Sequence, residues 1–116
     1  MRASDAIARA DRLRPNTHTN EDKMHWLQVA ENHVARHMNL HEGYSVTPDA
    51  EKELLLDGAD GELYVLYLIC MYDYFNGDFD QYNTGALQYN QRLSEWRAGF
   101  RREHKPKAFA GRRNMV

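Results

Sequence analysis

Ten consecutive residues, 63–72 (LYVLYLICMY), carry no charged side chain. A stretch of that polarity is stable only if most of its circumference is buried. It is half of the roughly 20 residues a membrane-crossing helix needs, so no spanning segment is expected. Residues 73–76 continue its helical periodicity, which predicts a helix over 62–75 in preference to a buried strand. Asn76-Gly77 supplies a C-cap. A chain of 116 residues makes one domain with a modest core. Little protein is left to surround such a helix, so the sequence predicts that a neighbouring chain covers part of it.

The remaining segments also read as helices. Ala and Leu number 23 against 11 Val, Ile and Thr, a balance that favours helix over strand. Pro15, Pro48 and Pro106 cut the chain into helix-compatible pieces. A first helix is predicted over 4–13, capped by Ser4, with Ala6, Ile7, Ala10 and Leu13 as its apolar stripe. A second runs over 21–38, capped by Thr19 or Asn20, with Met24, Leu27, Ala30, Val34 and Met38 at helical spacing. Trp26 falls off that stripe and is read as covering the first helix or facing a neighbouring subunit. A fourth helix, 79–103, places Tyr82, Ala86, Tyr89, Leu93, Trp96 and Phe100 at alternating steps of four and three, a seam that should pack antiparallel on the third helix. Gly85 and Gly99 interrupt it and are read as sites of close packing. Between the second and third helices, Val46-Thr47-Pro48 reads as extended. Residues 51–56 read as one helical turn or a short strand, and 57–61 as a turn in which Asp57 or Asp60 caps the next helix. The expected fold is a mainly α, small four-helix domain over 1–104, with a long C-terminal helix and an extended basic arm over 105–116.

The net charge of −2 hides an uneven distribution. Residues 42–80 sum to −9 and residues 97–116 to +6. Such asymmetry predicts either an interaction tail or two faces that neutralise each other within one fold. Enzymatic chemistry finds no footing. A single cysteine rules out an intramolecular disulfide framework and fits a reducing compartment. Cys70 lies in the apolar helix and should be inert. The first five residues lack the apolar core of a secretory signal. His33, His37 and His41, spaced by four, could stack three imidazoles on one helix face, but spacing alone is a weak metal signal, and a face of packed or exposed histidines is expected. Asp57, Asp60 and Glu62 lack the order of a calcium loop. No catalytic residue, cofactor or metal is expected. Six tyrosines between 64 and 89 could form a base-stacking platform, yet they lie in the acidic half of the chain, so Tyr64, Tyr67, Met71, Tyr82, Tyr89 and Trp96 are read as core or subunit interface.

Two blocks of residues carry a family resemblance. The first is Ala6-Ile7-Ala8-Arg9-Ala10-Asp11-Arg12-Leu13-Arg14-Pro15-Asn16, with Glu21-Asp22-Lys23 and Trp26-Leu27. The second is Tyr64-Val65-Leu66-Tyr67-Leu68, Asp73, Asn76-Gly77, Tyr82-Asn83, Ala86, Asn90 and His104-Lys105-Pro106-Lys107. Together they resemble the head–tail connector adaptors of long-tailed phages and Firmicute prophages. That resemblance implies a small all-helical protein forming a ring, usually of twelve copies, beneath the portal. It implies a virion protein of the neck, made in the host bacterial cytoplasm. Its partners would be further copies of itself, the portal protein, other neck or tail-completion proteins, and DNA passing through the lumen without sequence-specific binding; no membrane is involved. Lys105, Pro106, Lys107, Phe109, Arg112 and Arg113 would form the arm that binds the portal or a neighbour. The competing reading is a small nucleic-acid-binding module using Arg97, Arg101, Arg102, Lys105, Arg112 and Arg113, and it would show steeply salt-dependent affinity for DNA.

Overall fold

The computed structural model describes residues 1–39 and 51–103. The structure is mainly helical: α1 (Ala3–Leu13), α2 (Asn20–His37), α3 (Glu62–Phe75) and α4 (Phe79–Glu103), with one 3₁₀ turn at Gly58–Gly61 leading into α3. The arm over 105–116, Val46-Thr47-Pro48 and His41 lie outside the described residues.

α3 is the centre of the fold. α1, α2 and α4 all pack on it, and Leu63, Tyr64, Val65, Leu68, Cys70 and Tyr72 are buried. Three helices of the same chain cover most of this helix, while Leu66, Tyr67, Ile69 and Met71 remain half-buried and Tyr74 and Phe75 exposed. α1 achieves this cheaply in volume, because its buried face is Ala3, Ala6 and Ala10, which lets the two helix backbones approach closely. α2 contributes Leu27, Ala30 and Val34 as its spacing predicts, and Trp26 as well. Trp26 is buried within the chain. It stacks on Phe75 at 5.3 Å and meets Tyr72 edge-on at 6.0 Å, both at the far end of α3.

Helix ends follow local chemistry with one exception. Thr19 caps α2 by accepting from the Asp22 N–H, and Asn39, just past the Met38 cap, takes a left-handed φ of 61°. At the end of α3 the Gly77 N–H reaches the Tyr74 carbonyl and the Asp78 N–H reaches the Asp73 carbonyl. With Gly77 at φ 78° this is a Schellman closure. The exception is α1. Ser4 is not its cap; the helix begins one residue earlier behind Arg2. The reason is tertiary. The Ala3 N–H donates to the Lys52 carbonyl and the Leu54 N–H to the Met1 carbonyl, an isolated antiparallel bridge centred on Arg2 and Glu53. Residues 51–56 are thus neither a helical turn nor a strand. Asp57 precedes the 3₁₀ turn without a side-chain cap, Gly61 occupies the N-cap of α3, and neither Asp57 nor Asp60 caps that helix.

Glu31, wholly buried on α2, secures the same segment. Its carboxylate accepts from the Tyr64 hydroxyl and from the Leu55 N–H, and the Tyr64 oxygen accepts from the Leu56 N–H at 3.0 Å. Tyr64 is consequently core, with no surface to offer another subunit.

α3 and α4 form the antiparallel hairpin expected. Tyr74 meets Tyr82, Tyr67 meets Tyr89, and a Cβ at Gly85 would lie 3.1 Å from the Cys70 sulfur. Gly85 is a close-packing site, as read; Gly99 is not, since a Cβ there would meet only the Arg102 guanidinium at 3.8 Å. With 25 residues against 14, α4 outruns α3 by roughly 16 Å at 1.5 Å per residue. Beyond Arg92, whose guanidinium donates to the Ala59 carbonyl, its terminal turns have no α3 beneath them.

Candidate assembly surface

Asp11, Arg14, Asn16, Lys23 and Trp26 converge near Tyr72 and Asp73. Asp11 on α1 accepts from the Tyr72 hydroxyl (2.9 Å), from Asn16 Nδ2 (3.0 Å) and from Lys23 Nζ (3.1 Å). Arg14 pairs with Asp73, whose side chain is 4% exposed. Lys23 is almost wholly buried and lies 5.5 Å above the Tyr72 ring. Burial raises the Asp11 carboxyl, but the hydrogen bonds from Asn16, Lys23 and Tyr72 outweigh it and hold the group below its usual range. Burial, with the bond to Asp11, pushes the Tyr72 hydroxyl well above its ordinary value. His18 completes the knot: its ring stacks on Tyr72 and lies edge-on to Trp26, and its Nε2 sits 3.2 Å from the Tyr72 carbonyl. Sequence reasoning missed His18, because a histidine in a loop between helix ends carries no periodic signal. These groups lock three helices together.

At the α3–α4 turn, Tyr74 packs against Phe75, Phe79 and Tyr82 with ring centroids 5.1–5.8 Å apart. Tyr74, Phe75 and Phe79 remain about half exposed. Tyr74, Phe75 and Phe79 are the aromatic side chains among the exposed large hydrophobics of the described residues.

The histidine face of α2 is occupied by α4. His33 Nδ1 lies 3.2 Å from the Tyr89 hydroxyl, its ring is edge-on to Tyr67, and the His37 ring meets Trp96. Among the described residues no three His, Cys, Asp or Glu side chains are grouped to hold a metal ion. Burial first, and then the cations around them, depress both histidines: Arg36 acts on His33, and Arg97, His33, Arg101 and Arg36 act on His37. The Arg97 Nε is buried without a hydrogen-bond partner among the described residues. Burial raises the Cys70 thiol to about 11, consistent with the inert role expected.

The terminal turns of α4 therefore have two unlike edges. Arg97 and Arg101 join Arg36 on the α2 side. Across the Trp96–Phe100 strip, at the C-terminal end of α2, lies a groove of about 400 Å³ floored by Met38, Leu56, Trp96 and Phe100. Of the residues read as core or interface, Tyr64 and Tyr89 are buried, Tyr67 and Met71 half-buried between helices, and Tyr82 and Trp96 half-buried with surface remaining. They do not form one patch: Tyr82 belongs to the hairpin tip and Trp96 to the opposite end of α4.

No described helix is long and apolar enough to cross a membrane. Comparison with family models, curated proteins and solved structures finds no match.

Proposed function

We propose that the chain is a structural head–tail connector, a neck adaptor of a tailed phage or prophage that assembles as a ring beneath the portal. The observation that carries this reading is the overhanging end of α4. It presents a basic edge and an acid-rimmed groove on opposite sides of one apolar strip. A cyclic assembly requires two different faces that fit one another, and such an edge supplies them. The convergence of the resemblance residues Asp11, Arg14, Asn16, Lys23, Trp26 and Asp73 around Tyr72 lends further support, because it gives a single structural reason for residues scattered over 60 positions. The half-exposed tip at Tyr74, Phe75 and Phe79 offers a second contact area, suited to the portal or a tail-completion protein. No catalytic step is assigned.

The test is the mass of the purified protein in solution, alone and with a tailed-phage portal protein. A closed multimer, alone or nucleated by portal, is expected. A monomer indifferent to portal would overturn the proposal.

A second reading has one observation in its favour. Arg36, Arg97 and Arg101 gather around His37 without an ion pair among the described residues, and such a patch could meet nucleic-acid phosphates. DNA affinity that falls steeply with salt and is lost in Arg97→Ala with Arg101→Ala would favour it.

A further inference from the structure

The groove at the end of α4 differs from the rest of the surface in charge. Asp60 from the 3₁₀ turn and Glu95 and Glu103 from α4 stand on its rim, above the apolar floor. Among the described residues none of the three forms an ion pair; Glu95 accepts only a 3.4 Å bond from Gln91. Arg92 also lines the groove, with its guanidinium donating to the Ala59 carbonyl at 3.1 Å, so three acids face one base there and the lining is net negative. The described chain stops at Glu103, on this same rim. The thirteen residues that follow carry Lys105, Lys107, Arg112 and Arg113, no acidic side chain, and the apolar Phe109 and Met115 among them. Groove and segment are complementary twice over, apolar against apolar and acid against base.

We propose that this groove receives the 105–116 segment of a second copy of the chain, with Phe109 or Met115 on the Trp96–Phe100 floor and the arm's cations against Asp60, Glu95 and Glu103. The inference rests on the ring reading and names the contact that would link one subunit to the next. Glu103, the last described residue, is itself part of the rim. Donor and receptor at one end of α4 form the head-to-tail pair a ring repeats.

A charge exchange in the full chain tests it. One variant reverses the rim (Asp60→Lys, Glu95→Lys, Glu103→Lys), another the arm (Lys107→Glu, Arg112→Glu, Arg113→Glu), and self-association is followed by sedimentation. Each variant alone is expected to associate at least about tenfold more weakly than the unaltered chain. An equimolar mixture is expected to recover, because each arm then meets a groove of opposite charge. A rim variant that assembles normally would overturn the groove assignment while leaving the ring intact. Recovery only when both sets of changes share one chain would overturn the second copy in favour of the chain's own arm. An unaltered chain that stays monomeric with and without portal would defeat the ring reading itself. Should a reversed variant fail to fold by circular dichroism, the neutral set Asp60→Asn, Glu95→Gln, Glu103→Gln replaces it. That variant is expected to lose the salt sensitivity of association, and association as salt-sensitive as the original would overturn the proposal.

Discussion

The Tyr72 hydroxyl donates to the Asp11 carboxylate at 2.9 Å, joining residues 61 positions apart across the α1–α3 contact. The same carboxylate neutralises Lys23, which is 7% exposed. Removing the two partners should therefore have unequal effects. Asp11→Ala strands a nearly buried ammonium and is expected to cost about 2–3 kcal/mol. Tyr72→Phe leaves the carboxylate two donors and is expected to cost about 1 kcal/mol. Urea unfolding of the two variants checks the ordering, and equal losses would contradict it.

Two pH windows are expected. The Asp11 carboxyl is held below its usual range by its donors, so its contribution is complete above a pH of about 4 and drains away as pH falls through the native value. His33 and His37 are depressed by burial and by Arg36, Arg97 and Arg101. Both are neutral in either state above a pH of about 6.5; below it the unfolded chain takes up protons that the folded chain resists, and stability declines. In urea titrations across pH, the pair His33→Gln with His37→Gln should flatten the upper window and spare the lower. Asp11→Asn should do the reverse.

The two tryptophans should separate clearly. Trp26 is 7% exposed and packed among His18, Tyr72 and Phe75, so Trp26→Ala is expected to cost about 3–5 kcal/mol. Trp96 stands on the α4 seam and would cost as much if it were core. It is only half-buried, on the overhang against His37 and Phe100, and Trp96→Ala is expected to cost about 1–2 kcal/mol. Denaturant midpoints of the two variants decide.

The two α4 glycines should respond differently to alanine. Gly99→Ala meets no neighbour closer than 3.8 Å and should raise stability by about 0.5–1 kcal/mol through helix propensity. Gly85→Ala brings a Cβ to 3.1 Å from the Cys70 sulfur, which offsets that gain. In a Cys70→Ala background the gain should reappear, so a double-mutant cycle is expected to show coupling between the two sites. Equal gains at both glycines in the unaltered chain would refute the close contact.

The helices were legible because their signals are local and periodic. The 4-3 seam of α4 and the Asn76-Gly77 stop mark boundaries that the structure reproduces at 62, 75, 79 and 103. What escaped was tertiary. Ser4 looks like a cap, but pairing with residues 52–54 starts α1 a residue earlier. Glu31 looks like a solvated residue on a helix, yet its partners arrive from α3 and the 55–56 segment. Trp26 lies off the apolar stripe in sequence and is buried because Phe75, 49 positions later, comes to meet it. The polar knot was not legible, since nothing in spacing links Asp11 to Lys23 and Tyr72. The groove on α4 could not be read at all, because its rim draws on the 3₁₀ turn as well as on α4.

The bridge between the first residues and 52–54 sets an order of events during synthesis. α1 has only 11 residues, with alanine as its buried face, too short and too weakly apolar to persist alone. Its starting turn is completed only once Lys52 and Leu54 have left the ribosome. The α3–α4 hairpin, by contrast, needs only near neighbours in the chain and closes quickly. Residues 3–13 thus emerge before the segment that holds them and settle after it, and a ribosome stalled before position 52 would carry that helix without its partner.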